Sequence, residues 1–132
     1  MNMDAIATAW APRLLSVLRI VTGLLFLQHG TAKHLKFPAV PMFAKMEPVS
    51  MLGAAGMIEI VGSLLLIVGL LTRTTAFVLS GFMAVAYFMA HAGRGFYPIL
   101  NGGELAVLYC FVFLYTAAAG PGPWSYDAMS KE

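Results

Sequence analysis

Apolar residues are grouped along this chain into four long stretches separated by short polar segments. Residues 51–71 are interrupted by a single charge, Glu59, and residues 74–92 contain no Asp, Glu, Lys or Arg. Residues 105–119 are apolar or weakly polar, and residues 14–31 form a fourth stretch that contains Arg19. Because roughly 20 apolar residues cross a bilayer, the pattern predicts transmembrane helices at about residues 13–31, 50–71, 74–92 and 101–119.

The composition agrees with a membrane protein. Hydrophobic residues make up 60% of the 132 residues and charged residues 11%, and the mean hydropathy is +0.81. A soluble domain does not have this composition. The prediction is therefore an all-α fold, with residues 1–132 forming one four-transmembrane-helix bundle in a lipid bilayer. The net charge of +2 does not indicate a nucleic-acid partner, and the single cysteine, Cys110, excludes a disulfide within the chain.

Four spans place both termini on the same side of the membrane. The loop charges divide almost evenly between the two faces, so the positive-inside rule does not decide the orientation. We expect cytoplasmic termini, because some of the cations on the opposite face are assigned to a binding site and are then not counted as topology signals.

Five ionisable side chains lie in or at the edges of the predicted spans: Arg19, His29, Glu59, His91 and Glu104. A charge in hydrocarbon is costly, so such residues usually face the bundle interior and mark functional sites. Arg19 lies about 15 Å along the first helix from its end at His29, and Glu59 lies about 13 Å into the second helix from the same face. We therefore expect Arg19 and Glu59 to pair, either as a structural ion pair or as part of a site.

A short internal repeat predicts how the helices are arranged. The sequence Phe26-Leu-Gln-His29 matches Phe88-Met-Ala-His91, and Gly56-Met-Ile-Glu59 is echoed by Asn101-Gly-Gly-Glu104. The repeat predicts two parallel helix hairpins around one central space. His29, His91, Asn101 and Glu104 should then converge at the face opposite the termini.

Several short motifs in order resemble those of a known family: Gly23-Leu-Leu-Phe-Leu-Gln-His29-Gly30-x-x-Lys33, Glu59-x-x-Gly62, Gly69-Leu-Leu-Thr-Arg73, Ala86-Tyr-Phe-x-x-His91, Asn101-Gly-Gly-Glu104 and Gly120-Pro-Gly-Pro-Trp124-Ser. Together they resemble the DoxX family of small four-helix membrane proteins over residues 13–127. The resemblance implies a multi-pass protein of the bacterial cytoplasmic membrane, linked to sulfur-compound and thiol redox chemistry. One branch of that family supplies the membrane part of thiosulfate:quinone oxidoreductase.

The residues are compatible with a quinone-linked oxidoreductase component. Histidine side chains ordinarily titrate near neutral pH, so His29 and His91 could donate to quinone oxygens, while Glu59 and Glu104 could relay protons. Those four residues are the catalytic candidates. Arg19, Lys33, Arg94 and Asn101 are the substrate-binding candidates, with Lys33 and Arg94 placed to hold an anion such as thiosulfate. No covalent cofactor motif is evident, so electrons would come from a soluble redox partner or directly from the substrate.

Two other functions remain open. The chain could be a non-enzymatic membrane anchor or assembly subunit for a soluble redox protein, with its polar residues used for helix packing. His29, His91, Glu59 and Glu104 could instead hold a metal, but the Glu-x-x-His spacing of metal-binding bundles is absent, so no metal site is predicted. Small membrane bundles often dimerise, and a homo-oligomer is compatible with the sequence although no motif specifies one.

Overall fold

The structure is a computed structural model that describes residues 2–131, and these residues form helices joined by short loops. The α-helices are α1 (Met3–His34), α2 (Met51–Val68), α3 (Thr72–Ala90), α4 (Pro98–Asn101), α5 (Glu104–Ala119) and α6 (Tyr126–Ser130). By length and composition α1, α2 and the stretch Thr72–Arg94 can each cross a bilayer, and α5 is a shorter apolar helix. The predicted all-α, four-helix membrane bundle is confirmed.

The first helix begins ten residues earlier than the sequence pattern indicates. The side chain of Asn2 accepts a hydrogen bond of 2.8 Å from the N–H of Ala5 and so caps α1. The alanine-rich residues that follow favour helix. With 32 residues, α1 is about 48 Å long, which exceeds the bilayer core of about 30 Å. Residues 2–14 are exposed along this extension.

The fourth predicted helix is interrupted near its start. Gly102 has a φ of 76°, a left-handed conformation that ends α4, and the N–H of Gly103 donates to the side chain of Asn101 at 2.8 Å. Helix α5 then begins at Glu104 and is only about 24 Å long. Helix α2 likewise ends before residue 71, because Gly69 adopts a φ of 78° after Val68.

The four long helices associate as two hairpins. Helix α1 packs along α2, helix α3 packs along α5, and contacts between these pairs are far sparser. This pairing agrees with the expected arrangement of two hairpins. The pairs meet at a core that includes Phe26, Leu66, Leu79, Tyr109 and Phe113.

The C-terminal segment folds back onto one end of the bundle, which we call the tail end. The N–H of Trp124 donates to the hydroxyl of Ser16 at 3.0 Å. The carboxylate of Asp127 accepts hydrogen bonds from the N–H groups of Leu71 at 3.0 Å and Thr72 at 2.8 Å, where α3 begins. Burial by itself would raise the pKa of Asp127, but these hydrogen bonds and nearby Lys131 outweigh it and hold that pKa below its usual range. Asp127 therefore stays ionised and continues to cap α3 in mildly acidic solution.

The opposite end, which we call the loop end, carries residues 35–50 and 91–103. Its membrane side can be tested with single cysteines at Ala39, in the loop, and at Ser130, near the C-terminus, both of which are exposed. The background should be Cys110→Ala, which removes the native thiol. With four spans and cytoplasmic termini, an impermeant thiol reagent should label Ala39→Cys in intact cells and Ser130→Cys only after permeabilisation. Labelling of both from one side would contradict four spans, and the inverse pattern would contradict the orientation.

Candidate functional site

A buried ion pair joins α1 to α2 near the loop end. The Nζ of Lys33 lies 2.5 Å from Oε1 of Glu59, and both residues are about 95% buried, with exposures of 6% and 5%. Glycines allow this close approach: a Cβ on Gly30 would lie 2.8 Å from the carbonyl oxygen of Gly56. The two helix backbones therefore come near enough for a lysine in the last turn of α1 to reach the acid.

The expected pairing of Glu59 with Arg19 is wrong. The guanidinium of Arg19 donates to the carbonyl oxygens of Leu66 at 2.8 Å, Trp124 at 2.7 Å and Pro121. Arg19 is 1% exposed and faces the tail end, so it fastens the C-terminal segment to α1 and α2. The sequence-based depth calculation could not detect this, because the acceptors are backbone carbonyls supplied by a segment that folds back.

His29 lies one helical turn before Lys33 on the same helix. Its ring centroid lies 6.0 Å from that of Tyr109 in an edge-on arrangement and 6.4 Å from that of Phe26. The Nε2 atom of His29 is buried and has no hydrogen-bond partner among the described residues. A buried ring nitrogen without a partner is unusual, so one hydrogen-bonding position of His29 is left unused within the described residues.

Two other buried polar atoms in the described part of the chain also lack partners: the hydroxyls of Ser63 and Thr72. A hydroxyl within a helix can rotate to donate to the carbonyl four residues earlier, so Ser63 has a local alternative. Thr72 lies at the tail end, where α3 begins. Of these three unpartnered groups, His29 is therefore the one that lies beside Lys33 and Tyr109.

The loop of residues 35–50 covers the ion pair. The ring centroid of Phe43 lies 5.1 Å from Nζ of Lys33, a cation–π distance. Lys36 secures this cover, since its Nζ donates to the carbonyl oxygens of Lys33 at 3.0 Å and Phe43 at 2.6 Å. Lys33 is therefore engaged by Glu59 and Phe43, and it is not the free anion-binding cation expected from the sequence.

His91 and Asn101 form a separate cluster. Nδ1 of His91 lies 3.1 Å from the carbonyl oxygen of Asn101. The buried side chain of Asn101 donates to the hydroxyl of Tyr87 and the carbonyl oxygen of Gly95, each at 3.0 Å. These bonds hold the residues between α3 and α5 in place, so Asn101 has a structural role.

The four residues expected to converge therefore do not form one cluster. His91 and Asn101 lie together around Tyr87, whereas His29 lies with Lys33 and Tyr109. Tyr87 packs against the core that contains Tyr109, so the two groups are neighbours joined through packing only. Glu104 and Arg94 are exposed. Glu104 lines an outer groove of about 690 Å³ beside Tyr97 and Phe111, which faces away from the bundle interior.

The sequence reasoning missed Tyr109, because a tyrosine within an apolar run looks like an ordinary packing residue.

A metal site was an alternative for these residues. Within residues 2–131, no group of three or more His, Cys, Asp or Glu side chains lies close enough together to hold a metal ion. The metal-binding alternative thus has no donor set in the described part of the chain.

The ion pair can be tested by double-mutant cycles on the melting temperature in detergent. Lys33→Met should destabilise the protein strongly, because removing one partner of a buried pair typically costs about 3–5 kcal/mol. Adding Glu59→Gln should recover part of that loss. Arg19→Met should also destabilise, but its effect should simply add to that of Glu59→Gln. Additive effects of Lys33 and Glu59, or coupling of Arg19 with Glu59, would contradict these contacts.

Comparison with known proteins agrees with the resemblance noted in the sequence. The DoxX family model matches residues 14–92. An uncharacterised protein of Haemophilus influenzae is 52% identical over 123 residues, which cover 89% of this chain and 91% of that protein. Inner membrane protein YqjF of Escherichia coli K12 is 30% identical over 117 residues, which cover 86% and 88% of the two chains. No solved structure matches. The family match and the apolar helices together show that this chain is an integral membrane protein of the DoxX family.

Proposed function

We propose that this protein is the membrane component of a quinone-linked oxidoreductase that acts on sulfur compounds or thiols, and that the quinone head group binds at His29. The observation that carries the proposal is the buried, unpartnered Nε2 of His29. It lies one turn from the buried Lys33 and Glu59 pair and against the aromatic rings of Phe26 and Tyr109. A few polar groups within apolar walls are typical of small-molecule sites.

The residues at this position fit a quinone head group. A quinone, when bound, accepts two electrons and two protons. In its Nε2–H tautomer, His29 can donate a hydrogen bond to a carbonyl oxygen and can pass on that proton. Glu59 and Lys33 hold a proton between them close to His29 and so can replace one that the imidazole gives up. The rings of Phe26 and Tyr109 beside His29 are apolar and buried in the core, so a head group would contact them where these side chains part to admit it.

The proposal requires partners outside this chain. Electrons come from the sulfur compound itself or from a soluble redox protein at the membrane surface. The proposed setting is the bacterial cytoplasmic membrane, which the name of the E. coli relative, an inner membrane protein, supports. Cytoplasmic termini are part of the proposal.

A second function is favoured by how fully several predicted site residues are used for packing. The guanidinium of Arg19 donates hydrogen bonds to three backbone carbonyls. The side chain of Asn101 makes hydrogen bonds with three groups of the same chain. These contacts fit a non-catalytic anchor that holds a soluble redox protein at the membrane.

Thermal shift with added quinone separates the two functions. Short-chain ubiquinone or menaquinone analogues should raise the melting temperature of the wild-type protein in detergent, since a ligand bound only by the folded state stabilises it. His29→Ala should remove most of this rise. His91→Ala should keep it, because His91 lies in the other cluster.

Each alternative result has a clear meaning. Loss of the rise in His91→Ala as well would support the two-histidine site expected from the sequence. The absence of any rise in the wild type with either quinone would defeat the proposal and favour the anchor.

A further inference from the structure

Two side chains that can donate hydrogen bonds lie with their rings edge-on across the seam between the hairpins. His29 belongs to the hairpin of α1 and α2, and Tyr109 belongs to the hairpin of α3 and α5. Their ring centroids are 6.0 Å apart, with the rings at 86°. Tyr109 also stacks on Phe113, at 5.7 Å and 12°, and meets Phe26 edge-on at 5.2 Å. The ring of Tyr109 is therefore fixed by aromatic neighbours on both sides of the seam.

The hydroxyl of Tyr109 is not used inside the protein. A tyrosine hydroxyl in the interior usually finds a partner. The side chain of Tyr109 is 5% exposed, but its hydroxyl oxygen is not among the fully buried unpartnered atoms of residues 2–131, so it reaches accessible space. Tyr87 follows this rule, because its hydroxyl accepts a hydrogen bond from Asn101 at 3.0 Å. No group within residues 2–131 hydrogen-bonds the hydroxyl of Tyr109. The seam thus contains an unpartnered imidazole nitrogen on one hairpin and an unpartnered hydroxyl on the other.

We infer that His29 and Tyr109 together bind one carbonyl oxygen of the ligand, which therefore connects the two hairpins. This inference rests on the proposed function, and it adds Tyr109 as a ligand-binding residue. A carbonyl oxygen has two lone pairs and can accept from Nε2–H and from a phenolic O–H at the same time. The ring centroids are 6.0 Å apart, so an oxygen bound at the seam can be reached from both side chains. The ligand class is a lipophilic ring compound with a carbonyl group, and its binding stabilises the sparse contact between the hairpins.

The test uses a short-chain ubiquinone analogue carrying ¹³C at one ring carbonyl, prepared separately for each of the two carbonyls. Tyr109→Phe removes only the hydroxyl and should weaken binding by roughly three- to tenfold, the effect of one hydrogen bond. Its melting temperature without ligand should equal that of the wild type. The matched control is Tyr115→Phe, on the exposed side of the same helix, and it should bind as the wild type does.

Infrared spectra of the bound analogue show which oxygen is held. In the wild type, the stretching band of one carbonyl should lie at a lower wavenumber than in the free quinone. Tyr109→Phe and His29→Ala should each move that same band back towards the free position and leave the other band unchanged. Should Tyr109→Phe prove too unstable to purify, site-specific fluorotyrosine at position 109 is a stronger donor and should lower the band further.

The outcomes are distinguishable from those of the proposed function. Unchanged affinity and unchanged bands in Tyr109→Phe, with the wild type still binding quinone, would overturn this inference alone. Two variants that move different bands would also overturn it, because the donors would then serve different oxygens. A wild type that binds no quinone would overturn both the inference and the proposed function.

Discussion

A charge inside a bilayer has to be balanced within the protein, and helix α1 carries two buried cations, Lys33 and Arg19. Each is balanced differently. Lys33 pairs with the carboxylate of Glu59, whereas Arg19 is surrounded by carbonyl oxygens of α2 and of the C-terminal segment. The two solutions fasten α1 to α2 near both ends. The remaining architecture, including the returning tail and the covering loop, follows from this requirement.

The cations also explain why neighbouring segments fold where they do. Two of the three carbonyls that accept from Arg19 belong to residues 120–124, which can turn back because glycines and prolines end the helix there. At the other end, Phe43 lies over Lys33, and Lys36 secures the loop that carries Phe43. Segments that look like simple connections in the sequence therefore supply hydrogen-bond acceptors and a cation–π contact to the buried cations.

Hydropathy predicted the existence of four membrane helices and the stop after Ala119, because these depend on local composition. Which charged side chains pair with each other was harder to predict. Rise per residue gives depth along a helix, but it does not show which face a side chain occupies or how far a long side chain reaches. Lys33 was assigned to the loop region, yet its flexible stem extends to Glu59. Arg19 has the right depth for Glu59 but points towards the tail. Tyr109 could not be singled out, because only the packed hairpins bring it to His29.

Some polar side chains of the interior have hydrogen-bond partners within the fold, and others do not. Arg19 and Asn101 donate hydrogen bonds to backbone carbonyls within the fold. His29 retains a buried nitrogen without a partner. This difference between satisfied and unsatisfied groups is the physical basis for placing a ligand at His29. For the same reason, the proposed site is smaller than the set of candidates from the sequence and lies near α1 and α2.

The most direct test of that placement is the quinone content of protein purified from bacterial membranes in mild detergent. Mass spectrometry of the extracted lipids would give the amount of quinone per chain for the wild type, for His29→Ala and for an unrelated membrane protein prepared in the same way. The account predicts clear enrichment of quinone in the wild type over the unrelated protein and loss of that enrichment in His29→Ala. Equal quinone in all three preparations would contradict it.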